Sequence, residues 1–259
     1  MIRPFLGMLL LLPGAAGDPP EIRVEKSAEW KADRGTVKRV LSAAAGELWK
    51  HVSEGKPPVI QVWPKGGPIL LYRRGPAGEF LVKLDTGESY WAQYTYQFAH
   101  ECAHVLAGGA PAKHRHKWFE ESLCEAASLF VLRRSAETWK TSPPYPGGES
   151  FAPALRNYAD DRMKKGLLPE GKTLAAWYAE NREALEAKAD DRARNQVPAQ
   201  ELLPLLEKEP ERWESLLWLN AEPLPAEAPF ARVLEAWKAR CPERHRAFVG
   251  ELALRFGLE

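Results

Sequence analysis

The sequence predicts an α+β fold, with helix and sheet mixed in the first half and helix alone in the second. Three observations carry that expectation. A helix-periodic stripe precedes three short β-type runs between residues 59 and 85. Two helical patterns come next, between residues 90 and 127. From about residue 150 onward no strand signal occurs, and prolines punctuate a series of helical patterns.

At the N-terminus, Met1-Ile2-Arg3-Pro4 makes a short basic start, residues 5–12 an apolar run, and Ala15 with Gly17 a small-x-small pair. This pattern predicts a secretory signal peptide over residues 1–17 and a secreted or periplasmic mature protein. The apolar run is too short to span a bilayer, and no later segment is longer, so no stable membrane insertion is expected after cleavage. Residues 18–35 read as a polar lead-in. Val37, Val40, Leu41, Ala44, Leu48 and Trp49 then form a clean helical stripe over residues 36–52, which Pro57-Pro58 ends. The β-type runs are residues 59–63, 69–73 and 80–85, each bounded by Gly or Pro. Residues 90–107 contain no Pro or Gly. Tyr94, Gln97, Phe98, Glu101, Val105 and Leu106 recur there at helical spacings, and Gly108-Gly109 stops the pattern as a helix C-terminus should.

In the second half, residues 151–164, 174–195, 199–207, 210–220, 229–239 and 243–256 read as helices, with Trp177, Trp213, Trp218 and Trp237 supplying a core. The expected organisation is therefore a mixed lobe over residues 18–142 and a helical lobe over residues 143–259 that closes the other wall of a cleft. Residues 143–148 are the expected hinge.

The chain carries 36 Lys and Arg against 35 Asp and Glu. Signal cleavage removes Arg3 and no acid, leaving a formally neutral mature chain. A dedicated nucleic-acid binder normally carries a basic stripe, so no nucleic-acid partner is expected. The local run Lys113-His114-Arg115-His116-Lys117 reads as a solvated loop; a rim that prefers acidic side chains and a ligand role for His114 or His116 are the other readings. Of the three cysteines, Cys102 lies about 180° round its helix from the two motif histidines, and a Cys102–Cys124 bond looks awkward by the same geometry. Buried thiols are expected for Cys102, Cys124 and Cys241.

The residues that carry chemistry are His100-Glu101-Cys102-Ala103-His104, an H-E-x-x-H pattern. Zinc hydrolases use it because residues i and i+4 sit about 40° apart on one helix face, so both imidazoles reach one ion. Glu101 lies one step round, within reach of a metal-bound water without ligating the metal. The bare pattern also arises by chance, and its position inside a strong apolar helix decides for the functional reading. One Zn²⁺ per chain is the expected cofactor. A catalytic zinc takes three protein ligands and keeps one position open. An extended histidine motif would need Gly at 107 and His at 110, where this chain has Ala107 and Ala110.

After a polar loop comes the segment Trp118-Phe119-Glu120-Glu121-Ser122-Leu123-Cys124-Glu125. This segment resembles the glutamate-ligand helix of the gluzincins, the superfamily of zinc metallopeptidases with an H-E-x-x-H motif and a glutamate ligand. Ser122 stands where Gly is commoner. The resemblance implies that Glu121 is the third metal ligand and that Glu125 backs the first motif histidine. Glu120 competes for the ligand role but lacks a carboxylate four residues on. A solvated acidic helix face is the plainer reading of Glu121 and Glu125.

The resemblance also implies a zincin-like lobe: a helix, a mixed sheet of three or more strands, the active-site helix and the glutamate helix. It implies an edge strand that pairs with an extended peptide, for which residues 79–85 are the candidate. It further implies a downstream Tyr or His that stabilises the oxyanion; Tyr158 and Tyr178 are available, and core packing is the plainer role for each. The expected function is peptide-bond hydrolysis of a peptide or protein substrate, with Glu101 as the base. Two alternatives stay open: a zinc-stabilised non-catalytic binding protein, and a zinc hydrolase of a non-peptide amide.

Overall fold

The computed structural model describes residues 17–258. The signal-peptide reading thus lies outside the described residues, save for Gly17. The described residues form an α+β structure with a four-stranded mixed sheet and a helical majority. The strands β1 (Glu21–Val24), β2 (Val59–Pro64), β3 (Ile69–Leu71) and β4 (Phe80–Leu84) lie in the order β1-β2-β4-β3. β1, β2 and β4 are parallel, and β3 runs antiparallel to β4.

The sheet departs from the sequence reading in two places. The polar lead-in contains β1. Ile22, 2% exposed and paired with Ile60, and the half-buried Val24 face the core, while Glu21 and Arg23 bridge each other outside. Glu21-Ile22-Arg23-Val24 alternates polar and apolar over only four residues, too short a run to stand out within a charged stretch. The expected edge strand, residues 79–85, is interior: β4 is flanked by β2 and β3, and β3 is the edge. A short hairpin through Gly75 and Gly78 folds β3 back on β4's outer side, which fixes that order.

Helix α1 (Arg34–Trp49) starts where the Asp33 carboxylate accepts the Thr36 N–H, and packs its Val37, Val40, Leu41 and Leu48 stripe against the sheet and α2. α2 (Trp91–Leu106) is buried on nearly every side. Gln97 holds it to the end of β4 by two hydrogen bonds with the Asp85 backbone, at 2.9 and 2.8 Å. The helix stops at Gly108 and Gly109, with φ of 97° and 63°. Both need the left-handed region that glycine enters freely, and a Cβ on Gly109 would come within 2.4 Å of the Phe80 ring.

α3 (Lys117–Thr138) runs through the centre. It packs against α2, α4 (Ala152–Met163) and α6 (Arg192–Lys208). Small buried side chains at Ser122, Ala126, Ala127 and Ser128 let α2 approach, and the Ser128 hydroxyl donates to the Tyr96 carbonyl at 3.0 Å. The Ser122 hydroxyl bonds back to the Trp118 carbonyl at 2.8 Å, so its polarity is satisfied within the buried interface.

The expected helix over 174–195 is two helices, α5 (Leu174–Ala187) and α6. Lys188 takes an extended backbone and Asp191 caps the new start by accepting the Arg194 N–H. α6 then runs through Pro198, where the sequence predicts a boundary, and on through Pro204. Each proline forfeits a backbone bond, and burial of Val197, Ala199, Leu202 and Leu203 against α3 offsets the loss. A 3₁₀ segment (Pro210–Trp218), α7 (Phe230–Arg240) and α8 (Glu243–Arg255) complete the described elements.

One hydrophobic core runs from Ile22 to Phe256 through both halves. Trp118 and Phe119 of α3 meet Tyr178, Phe230 and Phe256 in an aromatic cluster. A polar tie joins the halves as well. The buried Glu214 carboxylate accepts from the Ser53 backbone N–H at 2.7 Å, the Ser53 hydroxyl at 2.6 Å, the Glu54 N–H at 2.9 Å and the His245 ring at 2.8 Å.

Candidate metal centre

His100, Glu101 and His104 sit on the C-terminal half of α2, and Glu120, Glu121 and Glu125 on the first turns of α3. Edge strand β3 and the start of α6 bring up Leu70, Tyr72, Asp190, Arg192 and Asn195. Together with His100, Glu101, His104, Glu121 and Glu125 they line a cavity of about 560 Å³. A wider groove of about 870 Å³ beyond β3, lined by Lys65, Arg73, Arg74 and Lys83 among others, contains none of the motif residues.

The two motif rings turn the same nitrogen toward one carboxylate. His100 Nε2 lies 3.2 Å from Glu121 Oε2, and His104 Nε2 lies 3.4 Å from Glu121 Oε1. Each ring has a carboxylate behind it. His104 Nδ1 is 2.7 Å from Glu120 Oε1, and His100 Nδ1 is 3.9 Å from Glu125 Oε1. The outer carboxylates are held in turn. Asn220 donates to Glu120 Oε2 at 2.8 Å and to the Ala107 carbonyl at 3.3 Å. The Tyr96 hydroxyl donates to Glu125 Oε2, and Arg192 Nε lies 3.0 Å from Glu125 Oε1.

The electrostatics reflect the packing. Burial favours the neutral form of Glu121, but hydrogen bonds from His100 and His104 outweigh it and hold the carboxyl well below the usual carboxylate range. Burial disfavours a charged His100, yet Glu121, Glu101 and Glu125 together push its pKa up. His104 is raised further, its burial overcome by Cys124, Glu120 and Glu121. Glu101 is 3% exposed, and that burial raises its pKa against the pull of the two histidines and a hydrogen bond from the Leu70 backbone. A carboxyl tuned upward is suited to taking and returning a proton.

Two imidazoles and a carboxylate are donor types that zinc takes. Nitrogen and oxygen donors about 2.0–2.2 Å from such an ion lie roughly 3.3–3.6 Å apart. The two separations between the imidazoles and Glu121 are 3.2 and 3.4 Å. Both Nδ1 atoms face carboxylates, which leaves each Nε2 to the ion, as in histidines that ligate metals. Among the described residues, the group of three whose ligand atoms all lie within 4.8 Å of one another is His100, His104 and Cys124, and Glu121 is not in it. Cys124 is fully buried and its thiol pKa is pushed up by that burial, whereas Glu121 lines the cavity.

Four features escaped the sequence reading. Glu120, weighed only as a rival ligand, backs His104. Asn220 reaches the centre from 100 residues away, beyond any local signal. Cys124 lies within ligand reach of both histidines. The run 113–117 is solvated at Lys113, Arg115 and Lys117 but not at its histidines: His114 and His116 are 8% and 2% exposed, His116 Nε2 is 2.9 Å from the Ala228 carbonyl, and burial lowers both pKa values. Neither histidine joins the cavity lining. Tyr158 packs on Tyr96, and Tyr178 lies in the aromatic cluster; the tyrosine that lines the cavity is Tyr72, 67% exposed. Cys102, Cys124 and Cys241 are free and buried, as expected. No family model matches the chain, and no curated protein or solved structure matches it.

Proposed function

We propose that this chain is a zinc-dependent metallopeptidase of gluzincin type, in which His100, His104 and Glu121 hold one Zn²⁺ and Glu101 serves as the base. The observation that carries the reading is the convergence of two imidazole Nε2 atoms on one carboxylate that lines a cavity, each ring backed by a further carboxylate. When bound there, zinc supplies a Lewis acid that polarises a carbonyl and makes water a nucleophile near neutral pH.

The protein's own groups do the rest. Glu101, buried and raised in pKa, takes a proton from the attacking water and delivers it to the leaving amine nitrogen. Glu120 holds the His104 ring in one tautomer, and Glu125 places a carboxylate 3.9 Å behind the His100 ring. The free edge of β3 borders the cavity and offers backbone groups to an extended peptide by strand addition. Export of the protein rests on the composition of residues 1–17.

The test is cleavage of a complex peptide mixture by zinc-loaded protein, read by mass spectrometry. Wild type cleaves, a chelator abolishes cleavage, and Glu101→Gln binds zinc without cleaving. Full zinc occupancy with no turnover of any peptide would contradict the reading. Cys124 supports a second reading, a non-catalytic zinc-stabilised binding protein with a His-His-Cys site, because a buried thiolate closes a structural site.

A further inference from the structure

The same cavity holds a cation that the proposed chemistry leaves unused. Arg192 stands on the first turn of α6, 48% exposed, and lines the cavity together with the two histidines and Glu121. Its Nε is 3.0 Å from Glu125 Oε1, and Glu125 is its sole ion-pair partner among the described residues. That ion pair holds the guanidinium beside the Glu125 carboxylate. A guanidinium offers five N–H donors in a planar fork, so Nη1 and Nη2 stay available for a planar anion.

One turn further along α6, Asn195 lines the cavity while only 2% exposed. Its Nδ2 donates to the Ala189 carbonyl at 2.7 Å, which fixes which end of the amide is which. Its Oδ1 is then buried with no hydrogen-bond partner. Buried acceptors are rarely left unpaired in folded proteins, and this one belongs to a residue that lines the cavity. A fork-shaped cation and an unpaired acceptor one helical turn apart on the same cavity wall match one ligand: a carboxylate with an amide N–H next to it.

We propose that Arg192 and Asn195 form a recognition site for a free carboxylate on the residue adjoining the cleaved bond, with Arg192 taking the carboxylate and Asn195 Oδ1 the amide N–H. The inference rests on the peptidase reading of the same cavity and narrows its substrates to peptides that end there or carry an acidic side chain there. The amide N–H beside the carboxylate favours the chain end. Asp190, at the cavity wall, opposes a second carboxylate and tunes the affinity downward.

The test is calorimetric binding of three probes to zinc-loaded protein: N-acetyl-leucine, its amide, and N-acetyl-glutamic acid α-amide, whose only carboxylate is on the side chain. Wild type binds the free acid roughly tenfold or more tightly than the amide, the scale of one charge-assisted hydrogen bond. Arg192→Ala abolishes that preference, Arg192→Lys keeps part of it, and Asp190→Asn strengthens it. Tighter binding of the glutamate probe than of N-acetyl-leucine would assign the site to an acidic side chain and overturn the chain-end assignment. A preference for acid that survives Arg192→Ala would come from the metal and overturn the proposal, as would equal or undetectable binding of acid and amide. Circular dichroism of each variant checks the fold, and Arg192 is exposed enough for substitution to leave it intact. The binding ratio decides this site even if no peptide is cleaved, and failure of the peptidase reading shows separately in the cleavage assay.

Discussion

His104 Nδ1 lies 2.7 Å from Glu120 Oε1, and Asn220 donates to the other oxygen of that carboxylate at 2.8 Å. The pair fixes the His104 tautomer so that Nε2 faces Glu121. Outer carboxylates of this kind typically cost about 10–100-fold in metal affinity when removed. Glu120→Ala is therefore expected to weaken zinc binding by roughly that factor without abolishing it, and Asn220→Ala by less. Competition titration with a zinc indicator measures both. An unchanged affinity for Glu120→Ala would show that the carboxylate merely fills space.

The Glu214 junction sets an acid limit on stability. Burial raises this carboxyl's pKa, but bonds from His245, Ser53 and Arg244 outweigh it and hold it far below its ordinary 4.5. A carboxyl depressed in the folded state stabilises the protein fully above its unfolded pKa, and that contribution drains away as pH falls. Glu214→Ala is expected to cost about 2–4 kcal/mol at neutral pH, since it strands the buried His245 and the Ser53 donors. The gap in thermal midpoint between wild type and variant narrows as pH drops below 4.5. A constant gap from about pH 7 to about pH 3 would contradict the assignment.

The aromatic cluster ties α3 to the last two helices. Phe230 is 3% exposed and touches Trp118, Phe119, Tyr178 and Phe256. Phe230→Ala is expected to lose roughly 3–5 kcal/mol in urea unfolding, the usual range for a buried phenylalanine. A loss under about 1 kcal/mol would mean that the site collapses around the gap or that the C-terminal helices pack loosely.

Much of this was legible in the chain, and the misses have physical causes. Helix α2 shows itself because its apolar run is long and its stop is a Gly pair. Strands β2, β3 and β4 show themselves through Gly and Pro punctuation. β1 hides because its alternation, Glu21-Ile22-Arg23-Val24, spans only four residues of a charged stretch. The break before α6 hides because Lys188 and Asp191 are polar residues that a surface helix also tolerates, while Pro198 signals a boundary that burial against α3 overrides. At the candidate site, His100, Glu101, His104, Glu121 and Glu125 fall within one sequence neighbourhood, at helical spacings. Asn220, Arg192 and Asn195 reach it through tertiary packing alone, so no spacing rule points to them.

The central claim is that zinc sits on His100, His104 and Glu121, and metal analysis after metal-free purification and repletion tests it most directly. Wild type, Glu101→Gln and Cys124→Ala should each retain one zinc per chain, while His100→Ala, His104→Ala and Glu121→Ala lose it or bind it far more weakly. Zinc retained in Glu121→Ala and lost in Cys124→Ala would replace the proposed site with a His-His-Cys one, and a wild type that takes up no zinc would contradict the claim outright.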